Sequence, residues 1–457
     1  MMGALRLSEV RSFAGGEIHG ADVAFDKVST DTRTLETGAL FVALRGPHFD
    51  GNGFVALAAE KQAVAALVSA PVAVTLPLLQ VADTRIALGL LGRENRLRST
   101  AKVIALTGSQ GKTTVKEMTA AILREQGAVL STEGNLNNDY GVPLTLLRIA
   151  PTHRFAVVEM GANAGGEIDY TAQLVLPDIA HITCVAPTHV EGFGSLQGVA
   201  EAKAEIWRGL RPGATAVLNL DDPLVLQRFV APAGVSVVTV SATGSDNADY
   251  RLSGYRDLGL AGSAFTLVAP QGAVSIALPL PGRHNAANAL AAAAMALLAG
   301  ASLADVAAAL GRMQSVKGRL VTLTGTGGAA ILDDSYNASP ASFKAAIDVL
   351  AGLPGLRIVA AGDMAELGDY AIEGHHEVGA YARSKGIERF FAMGPLMQHA
   401  LEAFGAPADR ADTPALLAER LRPLLTPHTS VLVKGSRSAG MERLVRLLTT
   451  HDGAAEG

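Results

Sequence analysis

The segment that most constrains this chain is a glycine-containing loop between an apolar run and an amphipathic pattern. Residues 103–106 form the apolar run, which predicts a buried strand, and Gly108 and Gly111 mark the loop. From Val115 onward, apolar residues recur at helical spacing. Glycines let backbone N–H groups face an anion, and a helix N-terminus adds its positive dipole end. The order strand, glycine loop, helix therefore predicts a phosphate-binding loop.

Two side chains at the end of this loop fit nucleotide chemistry. Lys112 is placed to reach the outer phosphates, and Thr113 is placed to bind Mg²⁺. Leu106 stands where the general motif G-x-x-x-x-G-K-[ST] has its first glycine, which narrows the class of nucleotide-binding protein. The alternative is a chance glycine-rich turn before a helix, and both flanking elements argue against it. The predicted nucleotide-binding residues of the loop are Gly108, Ser109, Gln110, Gly111, Lys112, Thr113 and Thr114.

Length and charge limit the other possibilities. A chain of 457 residues is too long for one ordinary core, so two or three domains are expected. Lysine and arginine total 38 against 43 acidic residues, a net charge of -5, which argues against nucleic acid as a partner. The single cysteine, Cys184, excludes an intrachain disulfide and favours a reducing compartment. Neither a signal peptide nor a membrane-spanning run is apparent, so a soluble cytoplasmic protein without membrane insertion is expected.

The first hundred residues predict a small unit of short strands and helices. Asp31, Arg33 and Arg45 lie near predicted strand ends, where small anions are often held. Taken alone, each is better explained as a partner in a surface ion pair. We place the first domain boundary near residue 100, where the segment leading to the phosphate loop begins.

The next two hundred residues alternate predicted strands with predicted helices, which favours a mostly parallel sheet. Glu159 and His189 follow two of these strands, at the edge where open α/β sheets bind ligands. For Glu159 a magnesium ligand is favoured over a buried carboxylate. For His189, the residue type fits a metal ligand and an ordinary surface residue equally well.

Other polar residues in this region can be explained either by a functional role or by an ordinary structural one. Residues 134–141 form an amide-rich loop that suits substrate amides but is also typical of an ordinary turn. Asn285 and Asn288 share a helix face and could bind a base edge, or Asn285 could cap the helix. Lys203 falls on an amphipathic pattern, and residue type alone predicts a solvated lysine.

A third unit follows residue 316 and again alternates strands with helices, as in a doubly wound sheet. Its predicted strands end near Asp334, Asp363 and Lys434. His375 and His376 are predicted to be exposed, and no metal-ligand spacing surrounds them.

Seven motifs, in order along nearly the whole chain, together resemble the Mur ligases. The phosphate loop alone would indicate either a Mur ligase or a folylpolyglutamate-synthase type of enzyme. The asparagine loop and the two C-terminal motifs resemble those members that join D-alanyl-D-alanine to UDP-N-acetylmuramoyl-tripeptide. The motifs occupy residues 107–114, 134–138, 159–162, 189–194, 284–288, 334–338 and 433–437.

The resemblance implies an α/β fold with three domains. Residues 1–100 would form a smaller α/β domain for the UDP part of the acceptor, and residues 101–315 a central P-loop ATPase-like parallel sheet. Residues 316–457 would form a Rossmann-like domain that closes over the nucleotide. The boundaries placed from the sequence pattern agree with this division.

The resemblance also implies roles in binding ATP and two Mg²⁺ ions. Lys112 would hold the γ-phosphate, Thr113 and Glu159 one magnesium, and His189 the second magnesium. Lys203 would be carbamylated by CO₂, which supplies oxygen ligands and replaces the prediction of a solvated lysine from residue type.

The expected nucleotide contacts are Asn285 and Asn288 to adenine, and Arg319 and Asp334 to the ribose and phosphates. The expected substrate-binding residues are Ser29, Asp31, Thr32 and Arg33 with residues 46–50 for UDP, and Asn135, Asn137, Asn138, Asn337 and Lys434 for the acceptor or dipeptide.

The implied activity is an ATP-dependent carboxylate–amine ligase of peptidoglycan precursor synthesis that acts through an acyl phosphate, as a cytoplasmic monomer. Two alternatives remain open at this stage. One is a ligase of the same superfamily that adds a single amino acid or glutamate to another acceptor. The other is a regulatory P-loop ATPase or a non-catalytic nucleotide-binding protein.

Overall fold

The computed structural model describes residues 3–46, 49–188 and 190–449. Within these residues the strands form a five-stranded, a nine-stranded and a six-stranded sheet, together with two short antiparallel ribbons. We call the larger sheets the N-terminal, central and C-terminal sheets in chain order. Most strand pairs in them are parallel, so the predicted α/β fold class is confirmed.

The N-terminal sheet has the order β2-β9-β8-β5-β4, with β2 antiparallel to its neighbour. Its strands are very short, and apolar residues of β5 and β8 are buried on both faces. The elements are β1 (Leu5–Arg6), α1 (Leu7–Ala14), β2 (Glu17–His19), β3 (Ala24–Phe25), β4 (Val28–Ser29), β5 (Leu40–Val42), β6 (Arg45–Gly46), β7 (Phe49–Asp50), α2 (Val55–Glu60), β8 (Ala65–Val68), β9 (Leu78–Gln80) and α3 (Thr84–Arg98).

The central sheet has the order β11-β12-β10-β13-β14-β15-β16-β17-β18. The last three strands pair antiparallel, and this extension was not predicted from the sequence. The elements are β10 (Lys102–Thr107), α4 (Lys112–Arg124), β11 (Val129–Ser131), α5 (Gly141–Leu147), β12 (Phe155–Glu159), α6 (Glu167–Val175), β13 (Ile179–Ile182), α7 (Val190–Phe193), α8 (Leu196–Ala204), β14 (Thr215–Asn219), α9 (Pro223–Arg228), β15 (Ser236–Ser241), β16 (Tyr250–Asp257), β17 (Ser263–Ala269), β18 (Gly272–Leu278), α10 (Arg283–Ala299) and α11 (Leu303–Gly311).

Strand β10 is buried on both faces, which explains its continuous apolar sequence. Ile104 and Leu106 pack toward α4 and α10, whereas Val103 and Ala105 belong to the core on the other face of the sheet. Since β12 and β13 flank β10, the ends of these three strands lie side by side. This strand order places Glu159 and the segment that follows Ile182 beside the phosphate loop.

The C-terminal sheet has the order β19-β20-β24-β21-β22-β23, and β19 alone among its described strands is antiparallel to its neighbour. Both faces of this sheet carry buried apolar side chains. The elements are β19 (Val321–Thr324), β20 (Ala330–Asp334), α12 (Pro340–Ala351), β21 (Leu356–Gly362), α13 (Ala371–Ser384), β22 (Arg389–Met393), α14 (Met397–Phe404), β23 (Ala408–Arg410), α15 (Pro414–Leu421), β24 (Thr429–Lys434) and α16 (Glu442–Thr449).

His375 corrects one sequence-based prediction. It is fully buried in α13 rather than exposed, whereas His376 is exposed as predicted. The imidazole Nε2 of His375 accepts a hydrogen bond of 3.0 Å from the backbone N–H of Met364, and its Nδ1 lies 2.6 Å from the carbonyl oxygen of Ala371. The ring therefore fastens α13 to the loop that follows β21.

None of the described helices combines the length and the apolar character that crossing a lipid bilayer requires.

Candidate active site

A cleft of about 330 Å³ opens between the central and C-terminal sheets. The phosphate loop forms one wall, and loops that follow β20 and β21 form the other. Most of the residues predicted to bind nucleotide line this cleft. They are Ser109, Gln110, Gly111, Lys112, Thr113, Thr114, Asn285, Asn288, Arg319 and Asp334, and the predicted substrate residues Asn337 and Lys434 line it too.

Two glycines give the phosphate loop its shape. Gly108 has φ +144, and a Cβ atom at this position would lie 2.0 Å from Oγ1 of Thr183. Gly111 has φ +77, and its Cβ would lie 2.5 Å from Oδ1 of Asn288. Neither position can accept a side chain without a shift of its neighbours, so both glycines are required by close approach and by backbone conformation.

Lys112 opens α4 and folds back over the loop. Its Nζ donates a hydrogen bond of 2.7 Å to the carbonyl oxygen of Gly108. Burial lowers the pKa of Lys112, and the negative charge of Glu159 opposes that shift. The ammonium group is therefore held at the mouth of the loop, where an anion would meet it.

Glu159 ends β12 beside the phosphate loop and is almost fully buried. Its Oε1 accepts a hydrogen bond of 2.9 Å from Nδ2 of Asn137, while its backbone N–H donates to the hydroxyl of Thr132. Its Oε2 is buried and has no hydrogen-bond partner among the described residues. A buried carboxylate oxygen without a partner is costly unless a cation meets it, so this position fits a metal ligand.

Lys203 is the clearest case in which residue type alone misleads. It lies on α8 with 1% of its surface exposed, so the prediction of a solvated lysine is wrong. Burial, together with the positive charge of Lys112, lowers the pKa of Lys203 to about 7. Its Nζ lies 5.4 Å from the centroid of the Phe193 ring. A substantial fraction of Lys203 is therefore a neutral amine near pH 7.

Arg319 links the two walls of the cleft. Its guanidinium donates a hydrogen bond of 3.1 Å to Oγ1 of Thr113 and lies 4.6 Å from the centroid of the Tyr336 ring. A second contact across the cleft joins Nε2 of Gln110 to Oγ of Ser339 at 3.1 Å. Both walls are therefore in direct contact at the phosphate loop.

Asp334 and Lys434 form a buried ion pair of 2.5 Å at the base of the cleft. The other carboxylate oxygen of Asp334 accepts the backbone N–H of Leu320, and Lys434 also donates to the carbonyl oxygen of Asn337. The two side chains thereby fix the segment that carries Arg319.

The two asparagines of α10 line the cleft in an ordered arrangement. Asn285 is buried and donates through Nδ2 to the carbonyl oxygen of Pro281, at 2.8 Å. Asn288 lies against the phosphate loop, with its Oδ1 facing Gly111. The alternative of Asn285 as a helix cap is wrong, because Gly282 is the N-cap residue and no side chain caps this helix.

Comparison with known proteins agrees with this geometry. The chain matches the family described as the Mur ligase middle domain over residues 106–296, and the Mur ligase glutamate ligase domain over residues 311–437. It is 45% identical over 449 residues to the UDP-N-acetylmuramoyl-tripeptide–D-alanyl-D-alanine ligase of Escherichia coli (strain K12), which covers 97% of this chain and 98% of that protein. The chain belongs to the Mur ligase family.

Further relatives support the same assignment. The corresponding ligase of Haemophilus influenzae is 41% identical over 435 residues, 93% of each chain. A crystal structure of MurF from Acinetobacter baumannii has a TM-score of 0.91 at 35% identity, covering 97% of this chain and 98% of that one. MurF from Thermotoga maritima, in a complex with ADP, has a TM-score of 0.81 at 25% identity, covering 92% and 96%.

The asparagine loop of this Mur ligase lies beside the cleft rather than in its wall. Asn137 contacts Glu159, whereas Asn135 is exposed and Asn138 uses its Oδ1 to accept the backbone N–H of Gly141. The next residue, Asp139, forms an ion pair of 3.3 Å with Arg85 of α3. The loop therefore connects the metal-ligand candidate Glu159 with the N-terminal unit.

The predicted UDP-binding residues are not brought into the cleft of this Mur ligase. Asp31 forms an ion pair of 2.7 Å with Arg33, and hydrogen bonds from Arg33 lower the pKa of Asp31 to about 2. Ser29 donates to the carbonyl oxygen of Asp31, and Arg45 pairs with Asp50. These local ion pairs agree with the alternative that Asp31, Arg33 and Arg45 are partners in surface ion pairs. Contacts of this region with UDP stay a prediction.

Two sequence-based assignments fall outside the described residues: His189, and Pro47 with His48 of the predicted UDP segment. Conversely, sequence reasoning assigned no role to Tyr336, Phe193 or Ser339, which contact Arg319, Lys203 and Gln110. Tyr336 lay within a motif that carried the family resemblance, and Ser339 precedes a proline at a helix start, which is a typical cap signal. Nothing in the sequence pattern pointed to the contact of Phe193 with Lys203.

Proposed function

We propose that this Mur ligase joins D-alanyl-D-alanine to the terminal carboxylate of UDP-N-acetylmuramoyl-tripeptide, at the expense of ATP and through an acyl phosphate. The observation that carries the proposal is the match along 97% of the chain to a relative named for this reaction. The cleft contains the phosphate loop. Outside its lining, Glu159 offers a buried carboxylate oxygen with no partner among the described residues, and Lys203 offers an amine whose pKa is lowered to about 7. The reaction belongs to peptidoglycan precursor synthesis.

The residues of the cleft fit ATP and magnesium. The glycine positions leave room for phosphates at the start of α4, and the Glu159 oxygen that lacks a partner within the described part of the chain suits a cation. Thr113 and Glu159 would hold Mg²⁺, and the family resemblance adds His189 for a second ion. Bound magnesium would neutralise charge between the acceptor carboxylate and the triphosphate.

Lys203 would be carbamylated. Its Nζ would form a C–N bond with the carbon of CO₂ and release one proton, which requires the neutral amine that its burial favours. The carbamate would present oxygen atoms in place of an ammonium group. This change suits a metal site better than a buried cation does.

The chain's own cationic groups would guide the phosphoryl transfer. Lys112 and Arg319, which both contact the phosphate loop, would lie where negative charge develops as the γ-phosphoryl group moves to the acceptor carboxylate. The amine of D-alanyl-D-alanine would then attack the acyl carbon, and the tetrahedral intermediate would collapse to the amide and inorganic phosphate. Holding the reacting groups in line contributes on the order of 7–11 kcal/mol through proximity.

Three domains would hold the reactants, with boundaries at 1–100, 101–315 and 316–457. The N-terminal domain would hold UDP through Ser29, Asp31, Thr32 and Arg33, and Asn135, Asn137, Asn138, Asn337 and Lys434 would serve the acceptor or dipeptide. Asn285 and Asn288 would meet adenine, and Arg319 and Asp334 the ribose and phosphates. The enzyme would act as a monomer in the cytoplasm.

The test is phosphate release from ATP with Mg²⁺, with the acceptor nucleotide and D-alanyl-D-alanine supplied separately and together. Release that requires both substrates, with formation of the amide product, is the expected result. Release with a single amino acid in place of the dipeptide would favour another ligase of the superfamily. Release without either substrate would favour a plain ATPase.

A further inference from the structure

We propose that Ser109 is a positioning residue that fastens the segment 183–193 to the phosphate loop, and that it is not a phosphate ligand. The proposal rests on the proposed function, because the segment matters only if the metal and acceptor sites lie where the ligase reaction requires them. The sequence pattern placed Ser109 among the nucleotide-binding residues, since it lies between the two glycines of the loop.

Both hydrogen-bond donors of Ser109 are used within the protein. Its backbone N–H donates to the carbonyl oxygen of Cys184 at 2.8 Å. Its hydroxyl donates to the carbonyl oxygen of Ala186 at 3.0 Å and accepts the backbone N–H of Ala186 at 2.9 Å. A serine whose N–H and hydroxyl are both engaged has no donor left for a phosphate oxygen.

The reciprocal pair with Ala186 is the last bond of a ladder between the two segments. Upstream, the backbone N–H of Thr183 donates to the carbonyl oxygen of Thr107, and its hydroxyl donates to the carbonyl oxygen of Gln110. On the opposite side, Asn219 donates to the carbonyl oxygen of Thr183, and Asp222 accepts the N–H of Val185. The start of the segment is therefore held from both sides, whereas its continuation from Ala186 is tied to the phosphate loop through Ser109.

The described residues after Ala186 approach the cleft, Lys203 and the C-terminal unit. Thr188 lines the cleft, and the centroid of the Phe193 ring lies 5.4 Å from Nζ of Lys203. A Cβ at Gly192 would lie 1.9 Å from the carbonyl oxygen of Asn163, and a Cβ at Gly368 of the C-terminal unit would lie 3.3 Å from Cα of Glu191. Residues 190–193 thus pack between the central and C-terminal units, and their placement sets the surroundings of Lys203.

Removing the hydroxyl of Ser109 should lower turnover without weakening nucleotide binding. Loss of a phosphate ligand would instead lower both. Ser109→Ala keeps the loop backbone, and the backbone supplies the N–H groups that meet phosphates. Nucleotide affinity should therefore stay within about twofold of the wild type, while turnover falls between about 10- and 100-fold through misplacement of the segment. Ser109→Thr retains the hydroxyl and is expected to retain most of the turnover.

Two measurements test the proposal on the full-length enzyme. The first is the Kd of ADP with Mg²⁺ by calorimetry, alongside kcat and KM for the complete ligase reaction. The second is hydrogen exchange of the amides of residues 184–193, which should become faster in Ser109→Ala because the N–H of Ala186 loses its acceptor. Ser302→Ala is the matched control: its hydroxyl accepts the N–H of Asp305 at the exposed start of α11. The control should change neither exchange of residues 184–193 nor turnover.

The outcomes separate this proposal from the proposed function. Faster exchange of residues 184–193 with unchanged ADP affinity supports the positioning role, whether or not the ligase assay succeeds. Weaker ADP binding with unchanged exchange would overturn it and make Ser109 a phosphate ligand. Equal exchange and equal turnover in Ser109→Ala and wild type would also overturn it. Failure of the wild type to form the amide would instead refute the proposed function.

Discussion

Asn137 donates a hydrogen bond of 2.9 Å to one carboxylate oxygen of Glu159, and the other oxygen of Glu159 is buried without a partner among the described residues. The amide therefore fixes the orientation of the carboxylate and leaves one oxygen available. An ionised carboxylate in such a place is unfavourable unless a cation compensates its lost hydration. The asparagine loop thus acts on the metal-ligand candidate and is not only a turn.

Replacing Glu159 should remove magnesium dependence without harming the fold. If Glu159 is a magnesium ligand as proposed, we expect Glu159→Gln to lower Mg²⁺-dependent amide formation by about 100-fold. Its thermal stability should not fall, since glutamine keeps an oxygen to accept from Asn137 and replaces the carboxylate oxygen that has no partner among the described residues. The checks are a Mg²⁺ titration of turnover and a thermal melt, with Glu94→Gln on α3 as the control. A magnesium dependence equal to that of the wild type would argue against the metal role.

Tyr336 should act on nucleotide binding through Arg319. The ring lies against the guanidinium that reaches Thr113, so loss of the ring should loosen this contact. In a double-mutant cycle of Tyr336→Leu and Arg319→Ala, we expect a coupling of about 1 kcal/mol in ATP binding measured by calorimetry. Tyr336→Phe keeps the ring and should bind ATP as the wild type does. Strictly additive effects would mean that Tyr336 contacts the nucleotide independently of Arg319.

The phosphate loop could be predicted from the sequence because the residues that define it are close together along the chain. Gly108 and Gly111 are demanded by backbone conformation and close approach, and Lys112 and Thr113 follow at fixed spacing. The parallel strands were equally predictable, since strands buried on both faces have continuous apolar sequences. Strands β16–β18 carry a weaker alternating pattern at the edge of the central sheet, and they were missed.

Burial of single polar residues was not predictable in the same way. Lys203 and His375 both lie on helices whose patterns show an apolar face, and the pattern does not reveal what covers the other face. Neighbouring elements of the folded unit cover it: α8 packs against α7 and α9, and α13 packs against α12 and α14. The surroundings of both residues are therefore tertiary properties. Residue type alone gave the wrong exposure for Lys203, and its carbamylation, implied by the family resemblance, stays a prediction.

An alanine at Gly108 should damage both the fold and nucleotide binding. Its Cβ would collide with the hydroxyl of Thr183, and φ +144 is unfavourable for any residue with a side chain. We expect Gly108→Ala to lower the free energy of unfolding by about 3 kcal/mol and to weaken ATP binding. Urea unfolding and calorimetry are the measurements. Gly53→Ala, where a Cβ meets nothing within 4 Å, is the matched control and should be nearly neutral.

His375 should make stability depend on acidic pH. Burial lowers the pKa of His375 below its ordinary value; the carboxylate of Asp363 opposes the shift and His399 adds to it. The unfolded chain then binds more protons than the native state below about pH 6.5, so stability is lost as pH falls through that value. His375→Gln should reduce this loss, measured as urea unfolding at pH 7.5 and 5.5. His376→Gln, at the exposed neighbour, should leave the pH dependence unchanged.

If a carbamate on Lys203 supplies oxygen ligands, an added carboxylic acid should restore activity to a variant that lacks this lysine. Lys203→Ala leaves a cavity where a buried side chain was, so we expect amide formation to fall by at least about 100-fold. A short carboxylic acid such as acetate is smaller than the removed side chain and carries the oxygen pair that the alanine lacks. Recovery of turnover with rising acetate concentration is the expected result.

Lys116 provides the control for this experiment. It is as deeply buried as Lys203, but its Nζ donates to the carbonyl oxygen of Thr132 and pairs with Glu117. Lys116→Ala should therefore lose stability and turnover without recovery in acetate, because its role is to donate hydrogen bonds. Recovery in both variants would show that acetate acts elsewhere, and recovery in neither would argue that Lys203 serves as a cation rather than as a carbamate.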